Sequence, residues 1–428
     1  MTDESDDSFG DRALPSSRLG RLARMAAVGV RSGANMLLSR DGESAAKSAA
    51  QVLGTLRGVA AKVGQMASYV DGVVPASHRD AYESAMKGLR AAAPTSSPAE
   101  IRKQLESELG APIEKLYATW DEKPIASASI GQVHRATLFD GTEVAVKVQH
   151  PGIVRAIESD LANAGMLESF AGLGGGRRLG SKGMLEVIRA RFREELDYRL
   201  EAERQSQFAA LHSDDPRIEI PRVITDRSSA RVMTSTFVRG IGFEEACTRP
   251  ESERFAWAQT LWHFVFKGNL VGGMFNADPH PGNYLFQPDG RVAFLDFGCV
   301  QVIPEDRRPI ARSLHRAALD RDAAAFRTHV GRLTDAKPGP LEELSHDFVR
   351  RCFAPLLESP YRITRDYAAS LVTAMHDMAV AARKMPDEYI FAMPSEMLFM
   401  NRLQFGFYSV LARFDVAVDY AAIERKFV

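Results

Sequence analysis

The chain has 428 residues, 45% hydrophobic, 25% charged and 8% aromatic, a globular composition that excludes disordered and fibrous classes. Fifty-four basic against 55 acidic side chains leave a formal charge of -1, so no global basic field exists to hold a nucleic-acid backbone and no nucleic-acid partner is expected. Three scattered cysteines, Cys247, Cys299 and Cys352, exclude a disulfide scaffold and a thiolate zinc site, and they suit a reducing compartment.

The opening MTDESDDSFGD is acidic where a secretory signal would be basic, and no run of eighteen apolar residues free of charge occurs. The expectation is a cytoplasmic protein with no transmembrane segment, with peripheral contact at the inner face of the plasma membrane left open. Residues 1–18 read as a flexible arm. Residues 19–38 mix arginine with apolar residues at helical spacing, which suits an ordinary packed helix or one lying on a bilayer surface. Residues 42–70 carry an apolar stripe at helical spacing. After the prolines of the APTSSP spacer, Pro98 and Glu100 open a further helix to about Leu109.

The texture changes at Pro124. ASIGQVHRATL, a turn at 139–141 and EVAVKVQ read as a hairpin, and helices are expected over 153–172 and 182–210. A second hairpin pairs IPRVIT with RVMTSTFV through a turn at 226–229. Beyond Gly240 the pattern is helical over 250–273. A loop at 276–283 and two short strands, YLFQ and VAFLDFG, follow, and then helices from Pro304 to Val428. Cys299 reads as a small buried hydrophobe, and the stripe from Phe405 to Phe414 as C-terminal core.

Four signals occur in one order. Ala126, Ser127, Ala128, Ser129, Gly131 and Val133 have the spacing of the kinase nucleotide loop G-x-G-x-x-G-x-V, with alanine at the first two glycine positions. Alanine meets the size limit of a turn over phosphates but stiffens it. Lys147 lies in VAVKVQ, where an ammonium on a buried strand needs an anion. The segment RFREELDYRLEAER offers Glu194, Glu195, Asp197 and Glu201 as partners, although alternating charges also suit a solvated helix face. Finally, Asp278, Asn283 five residues on and Asp296 thirteen beyond that reproduce the spacing by which a kinase places a catalytic aspartate and two magnesium ligands. His280, inside the same loop, reads as a loop-stabilising residue.

Together with Lys62-Val63-Gly64-Gln65, followed by Met66 and Ser68, these motifs resemble the ABC1/UbiB/ADCK (COQ8-like) family of atypical protein-kinase-like proteins, over about residues 45–420. The resemblance implies an α+β, protein-kinase-like bilobal fold with an N-terminal helical extension (19–119), a small β-containing N-lobe (120–238) and a helical C-lobe (239–428). It implies ATP or ADP with Mg2+ under the Ala126–Val133 loop. Lys147 would hold the phosphates, and the linker residues Thr236 and Val238 would lie beside the nucleotide. Asn283 and Asp296 become the magnesium ligands and Asp278 the catalytic-loop aspartate. Glu201 becomes the salt-bridge partner of Lys147, with Glu195 the alternative. A helix carrying Lys62, Gly64 and Gln65 would pack over the substrate cleft, opposite Glu195 and Asp197. Asn276-Ala277-Asp278 stands where His-Arg-Asp would be, and no Ala-Pro-Glu signal follows Gly298, which disfavours phosphorylation of proteins. The expected function is an ATPase, or a kinase acting on a small or lipid-like molecule, in isoprenoid-quinone or related lipid metabolism. The alternative is a nucleotide-gated scaffold or lipid-presenting chaperone.

Overall fold

The computed structural model describes residues 96–127, 130–159, 192–335, 338–383 and 395–428, together with Ala190 and Met385. The expected arm, the helices over 19–38 and 42–70, the Lys62, Gly64 and Gln65 motif, and the loop residues Ala128 and Ser129 lie outside the described residues.

The first helix, α1 (Pro98–Leu109), begins and ends where its capping residues dictate. The Ser97 side chain accepts the Glu100 N–H while Glu100 reaches back to the Ser97 N–H, Pro98 occupies the first turn, and Gly110 closes the helix at φ 73°. Such a capping residue contributes about 1 kcal/mol. After α2 (Ile113–Leu116) come β1 (Thr119–Trp120), β2 (Ala126–Ser127), β3 (Gly131–Thr137) and β4 (Glu143–Gln149), and the sheet is completed by β6 (Val232–Thr236). The strand order is β1-β3-β4-β6, antiparallel throughout, with β2 also on β3. The expected first hairpin is β3–β4, turned by Gly141 at φ 85°.

The period-2 geometry of β4 decides the fate of Lys147. Val144, Val146 and Val148 are fully buried against Ile101 and Leu105 of α1, each contributing about 2 kcal/mol by burial. Lys147 therefore points to the opposite face. Because α1, α2 and the sheet share one core, the expected boundary near residue 119 runs through a packed unit rather than between two.

The expected strand IPRVIT and the expected helix over 182–210 need correction. IPRVIT is no strand: Val223 makes a single bridge to Ser235, and 225–227 is a 3-10 turn. Pro221 carries no N–H for a ladder, and β6 takes its main partner from β4 instead. The helix expected over 182–210 is broken at Leu196 and Asp197; 192–195 is helical, and α3 (Tyr198–Leu211) starts afresh. Asp197 is extended, at φ -113° and ψ 97°, and its side chain accepts the Arg199 N–H. An aspartate that caps cannot also continue the preceding helix.

After β5 (Ile218–Glu219), the C-lobe is built on α4 (Phe243–Ala246) and α5 (Glu251–Lys267), which ends in a π-helical turn, Gly268–Gly272. Strands β7 (Met274–Asn276), β8 (Tyr284–Phe286), β9 (Val292–Phe294) and β10 (Val300–Val302) carry the loops between them. β7 pairs with β10, and β9 with β8 and β5. Helices α6 (Arg307–Leu319), α7 (Ala323–Thr334), α8 (Pro340–Cys352), α9 (Ala354–Leu357), α10 (Arg365–Arg383), α11 (Ser395–Phe414) and α12 (Tyr420–Glu424) complete the lobe. Two dipeptide strands, Tyr361–Arg362 and Ala417–Val418, pair where helices alone were expected; two residues are too few to register as periodicity. Phe405, Phe407, Tyr408 and Phe414 are core, as is Cys299. Among the described residues no helix is long and apolar enough to cross a membrane.

His212, at the end of α3, stacks on Phe208 and Phe264, and neither ring nitrogen has a hydrogen-bond partner among the described residues. Burial first, then the charge of Lys267, pull its pKa from 6.5 down to about 3. The unfolded chain binds this proton below 6.5 while the folded chain resists until about 3, so stability falls as pH drops through that window. His212→Phe, which keeps the aromatic stack, is expected to remove about 2 kcal/mol of the loss between pH 7 and pH 5, read from urea unfolding midpoints at each pH.

Candidate active site

Asp197 sets the start of α3, and the helical period then places Glu201 one turn in, on the buried side with Tyr198 and Gln205. Glu201 is 3% exposed, and its two oxygens accept from Lys147 Nζ at 2.8 and 2.9 Å. The Lys147 ammonium also reaches Asp296 Oδ2 at 3.3 Å and lies 5.0 Å from the centre of the Tyr198 ring. Glu201, not Glu195, is thus the lysine's partner; Glu195 is half-buried on the helical stretch before the break. Desolvation works against the Lys147 charge, but Asp296 and Glu201 overcome it and hold its pKa well above the ordinary lysine value. For Glu201 burial is the largest influence and raises the carboxyl, against the pull of Lys147. The result is a fixed cation at the mouth of a buried carboxylate.

Asp296 comes from the loop after β9. Its Oδ1 accepts the Gly298 N–H at 2.9 Å, which leaves Oδ2 for Lys147. Phe297 is fully buried, 5.1 Å from Phe208 of α3 and edge-on to Phe264 of α5, so this loop, the Glu201 helix and the C-lobe form one packed unit. Arg204, three residues beyond Glu201, donates to Gly298 O at 3.3 Å and to Glu194 at 2.5 Å, a second tie between α3 and the loop.

Asp278 and Asn283 sit on the loop between β7 and β8. Asn283 Nδ2 donates to Asp278 O at 3.1 Å, and Asn283 O accepts from Leu295 N at 3.0 Å. His280 accepts the Gly282 N–H, the loop-stabilising role expected. Sequence reasoning missed Asn276. Its Nδ2 donates to Asp296 O at 2.6 Å and its Oδ1 accepts from Asp278 N at 3.0 Å, so one side chain sets the separation of the two aspartate loops. Only its position two residues before Asp278 could have signalled it. Asn276→Ala removes both bonds and is expected to lower nucleotide turnover about tenfold, with a stability cost of about 2 kcal/mol. Asn276→Asp keeps the acceptor for Asp278 N but sets a carboxylate against the Asp296 carbonyl, so steady-state rates should show no rescue.

On the N-lobe side, Ala126 pairs with Val133 and Ser127 with Gln132, and Val133 pairs in turn with Lys147. Gly131 has a packing reason to be glycine: a Cβ there would lie 2.5 Å from Val148 O and 2.8 Å from Tyr198 Oη. Thr236 pairs with Val144 at the end of β6, and Phe237 and buried Val238 lead into the strap joining the lobes, where Ile241 bridges to Phe286 of the C-lobe. The arginines Arg135 and Arg239 lie 5.0 and 5.5 Å from the Phe237 ring centre.

Asn283 and Asp296 offer a neutral and an anionic oxygen, the donor chemistry a hard cation takes when phosphate oxygens complete its shell. Because the Asn283 nitrogen is committed to Asp278 O, its side-chain oxygen is the atom left for such a cation. Among the described residues no three His, Cys, Asp or Glu side chains form a self-sufficient metal cluster. An amide oxygen and a carboxylate oxygen are donors that fit magnesium when phosphate oxygens complete its shell.

Residues 88–330, more than half of the chain, match the ABC1 atypical kinase-like domain. The chain belongs to this family. Among ABC1 relatives, it is 34% identical over 254 residues to the uncharacterized protein Rv0647c of Mycobacterium tuberculosis, covering 57% of this chain and 51% of the relative. It is 30% identical over 336 residues to the atypical kinase COQ8B, mitochondrial, of Rattus norvegicus, covering 74% and 63%. The protein ACTIVITY OF BC1 COMPLEX KINASE 7, chloroplastic, of Arabidopsis thaliana is 28% identical over 347 residues, covering 80% and 48%. The match thus spans about half to two thirds of these relatives' lengths. Among solved structures, the complex of Rv3197 with erythromycin from Mycobacterium tuberculosis superposes with a TM-score of 0.64 at 25% identity, covering 95% of this chain and 98% of that one. The bilobal kinase-like fold expected from the motifs is the fold of this ABC1 chain.

Proposed function

We propose that this ABC1 chain binds a magnesium–nucleotide complex between its lobes and either hydrolyses ATP or transfers its γ-phosphoryl group to a small or lipid-like molecule. The observation that carries this reading is the Lys147–Glu201–Asp296 cluster: a charged ammonium at 2.8 and 3.3 Å from two carboxylates, one on α3 and one on the loop after β9. Such a cation suits phosphate oxygens, while Asn283 and Asp296 suit the accompanying Mg2+. Magnesium would supply neutralisation of phosphate charge. Asp278 is assigned to orient the acceptor oxygen and take its proton as the new P–O bond forms and the bond to the bridging oxygen breaks.

The stretch after Gly298 favours a small acceptor. β10 starts at Val300, pairs straight back onto β7, and α6 begins at Arg307, so among the described residues no activation segment projects between Gly298 and α6 to seat a peptide. Service in isoprenoid-quinone or related lipid metabolism at a membrane surface is supported by the family and by what a lipid-like acceptor requires.

Phosphate release from Mg-ATP by the purified chain, with and without lipid vesicles and beside Asp296→Asn, tests the proposal, with nucleotide binding recorded in the same samples. Release that depends on Asp296 supports turnover, and stimulation by vesicles supports the membrane setting. Binding without Asp296-dependent release favours the nucleotide-gated scaffold. Absence of Mg-nucleotide binding overturns both.

A further inference from the structure

An open groove of about 830 Å³ lies on the C-lobe between the π-helical turn, α6 and α7. None of Lys147, Glu201, Asp278, Asn283 or Asp296 lines it. One wall carries a row of three arginines, Arg308, Arg312 and Arg316. Spaced four residues apart on α6, they follow one another along one helical face at steps of about 6 Å.

Like charges at this spacing repel, and a guanidinium stays protonated at any physiological pH. Neighbouring arginines find carboxylates: Arg307 pairs with Asp335, and Arg425 with Asp320 at 3.0 Å. Arg312 and Arg316 are exposed, and among the described residues their side chains make no hydrogen bond or ion pair. Arg308 is held in place without being neutralised. Its Nε donates to Ile303 O at 3.0 Å, and Gly273, at φ 64°, leaves it room, since a Cβ there would collide with the guanidinium. The three acidic residues of the lining do not cancel the row. Asp320 is the partner of Arg425, and Asp322 caps α7 by accepting from the N–H groups of Ala324 and Ala325. Glu305 has no partner among the described residues, which leaves one unpaired carboxylate against three guanidiniums.

The shape and chemistry of the lining narrow the ligand. A groove between two helices admits a small molecule, where a lipid surface would touch only its rims. Ser313 adds a hydroxyl to the arginine wall, and Val271, 51% exposed, flanks it from the π-helical turn. Guanidinium forks match phosphate oxygens two at a time, and a diphosphate can engage successive arginines of the row. We propose that this groove is a binding site for a small diphosphate-bearing molecule, held by Arg308, Arg312 and Arg316. The site is separate from the nucleotide cleft and does not depend on the reading given above.

Inorganic pyrophosphate, without magnesium, is the probe, added to the full chain labelled at valine methyls. The Val271 resonance, assigned through Val271→Ile, should move saturably. Because Val271 lines the groove, pyrophosphate taken up by the nucleotide cleft leaves this resonance unmoved. Sulfate at the same ionic strength should need at least about tenfold higher concentration. Arg312→Gln/Arg316→Gln should weaken pyrophosphate binding at least about tenfold. Both side chains are exposed and unpaired among the described residues, so this variant is expected to keep or raise its urea midpoint. No saturable movement of Val271 overturns the site, as does unchanged affinity in the double variant. Equal affinities for sulfate and pyrophosphate overturn the assignment to a diphosphate. Sedimentation with phosphatidylglycerol vesicles that depends on Arg312 and Arg316, with no response to pyrophosphate, makes the row a membrane contact and overturns the proposal.

Discussion

Lys147→Met is expected to reduce Mg-ATP turnover at least about 100-fold, because its ammonium is, among the described residues, the cation in contact with both cleft carboxylates. It also exposes the electrostatic cost of the cleft. Removing Lys147 leaves Glu201 buried at 3% exposure with no compensating charge, a change that costs about 3 kcal/mol in comparable buried pairs. Burial already raises the Glu201 carboxyl, so the orphaned group takes up a proton rather than remain ionised. Two measurements separate function from folding. Urea unfolding should show the loss in Lys147→Met and its partial recovery in Lys147→Met/Glu201→Leu, since an apolar pair of similar volume removes the unpaired carboxyl. Phosphate release should stay absent in both. Turnover near the unaltered rate in either variant contradicts the assignment of Lys147 to the phosphates.

Asp296→Asn is the second large effect, and its signature is different. Asparagine keeps the shape, and its oxygen can still accept the Gly298 N–H now held at 2.9 Å. The nitrogen then faces the Lys147 ammonium, donor against donor, where Oδ2 accepts at 3.3 Å. The expected stability change is about 1 kcal/mol, smaller than for Lys147→Met. The expected loss of Mg-dependent phosphate release is about 100- to 1,000-fold, because the only anionic oxygen assigned to the metal is gone. Nucleotide binding measured without magnesium should change little. If binding with and without magnesium falls equally, Asp296 supports the fold of the cleft and not the metal.

Much of this protein is legible along the chain because the deciding interactions are local. Ser97, Pro98, Glu100 and Gly110 bound α1 through hydrogen bonds within a few residues, and alternation in VAVKVQ places Lys147 opposite three buried valines. The spacing of Asp278, Asn283 and Asp296 is likewise a one-dimensional property of two loops beside short strands. The choice of Glu201 over Glu195 lay beyond that reach. It turns on Asp197 breaking the preceding helix and on the distance from a lysine 54 residues earlier, and two glutamates six apart look alike in sequence. Asn276 acquires its role because β7 and β10 pair and bring its amide to the Asp296 carbonyl. Gly131 could be read as a phosphate-loop glycine, but the packing shows that Tyr198 and Val148 leave no room for a side chain. The apolar cavity lined by Trp262, Phe275, Leu314 and Phe407 has no sequence signature, because its walls come from elements spread over some 150 residues of chain. Caps, turns and alternation act between neighbours and can be read from order alone; ion-pair partners, close approaches and cavities depend on which distant surfaces meet, and only the folded chain decides that.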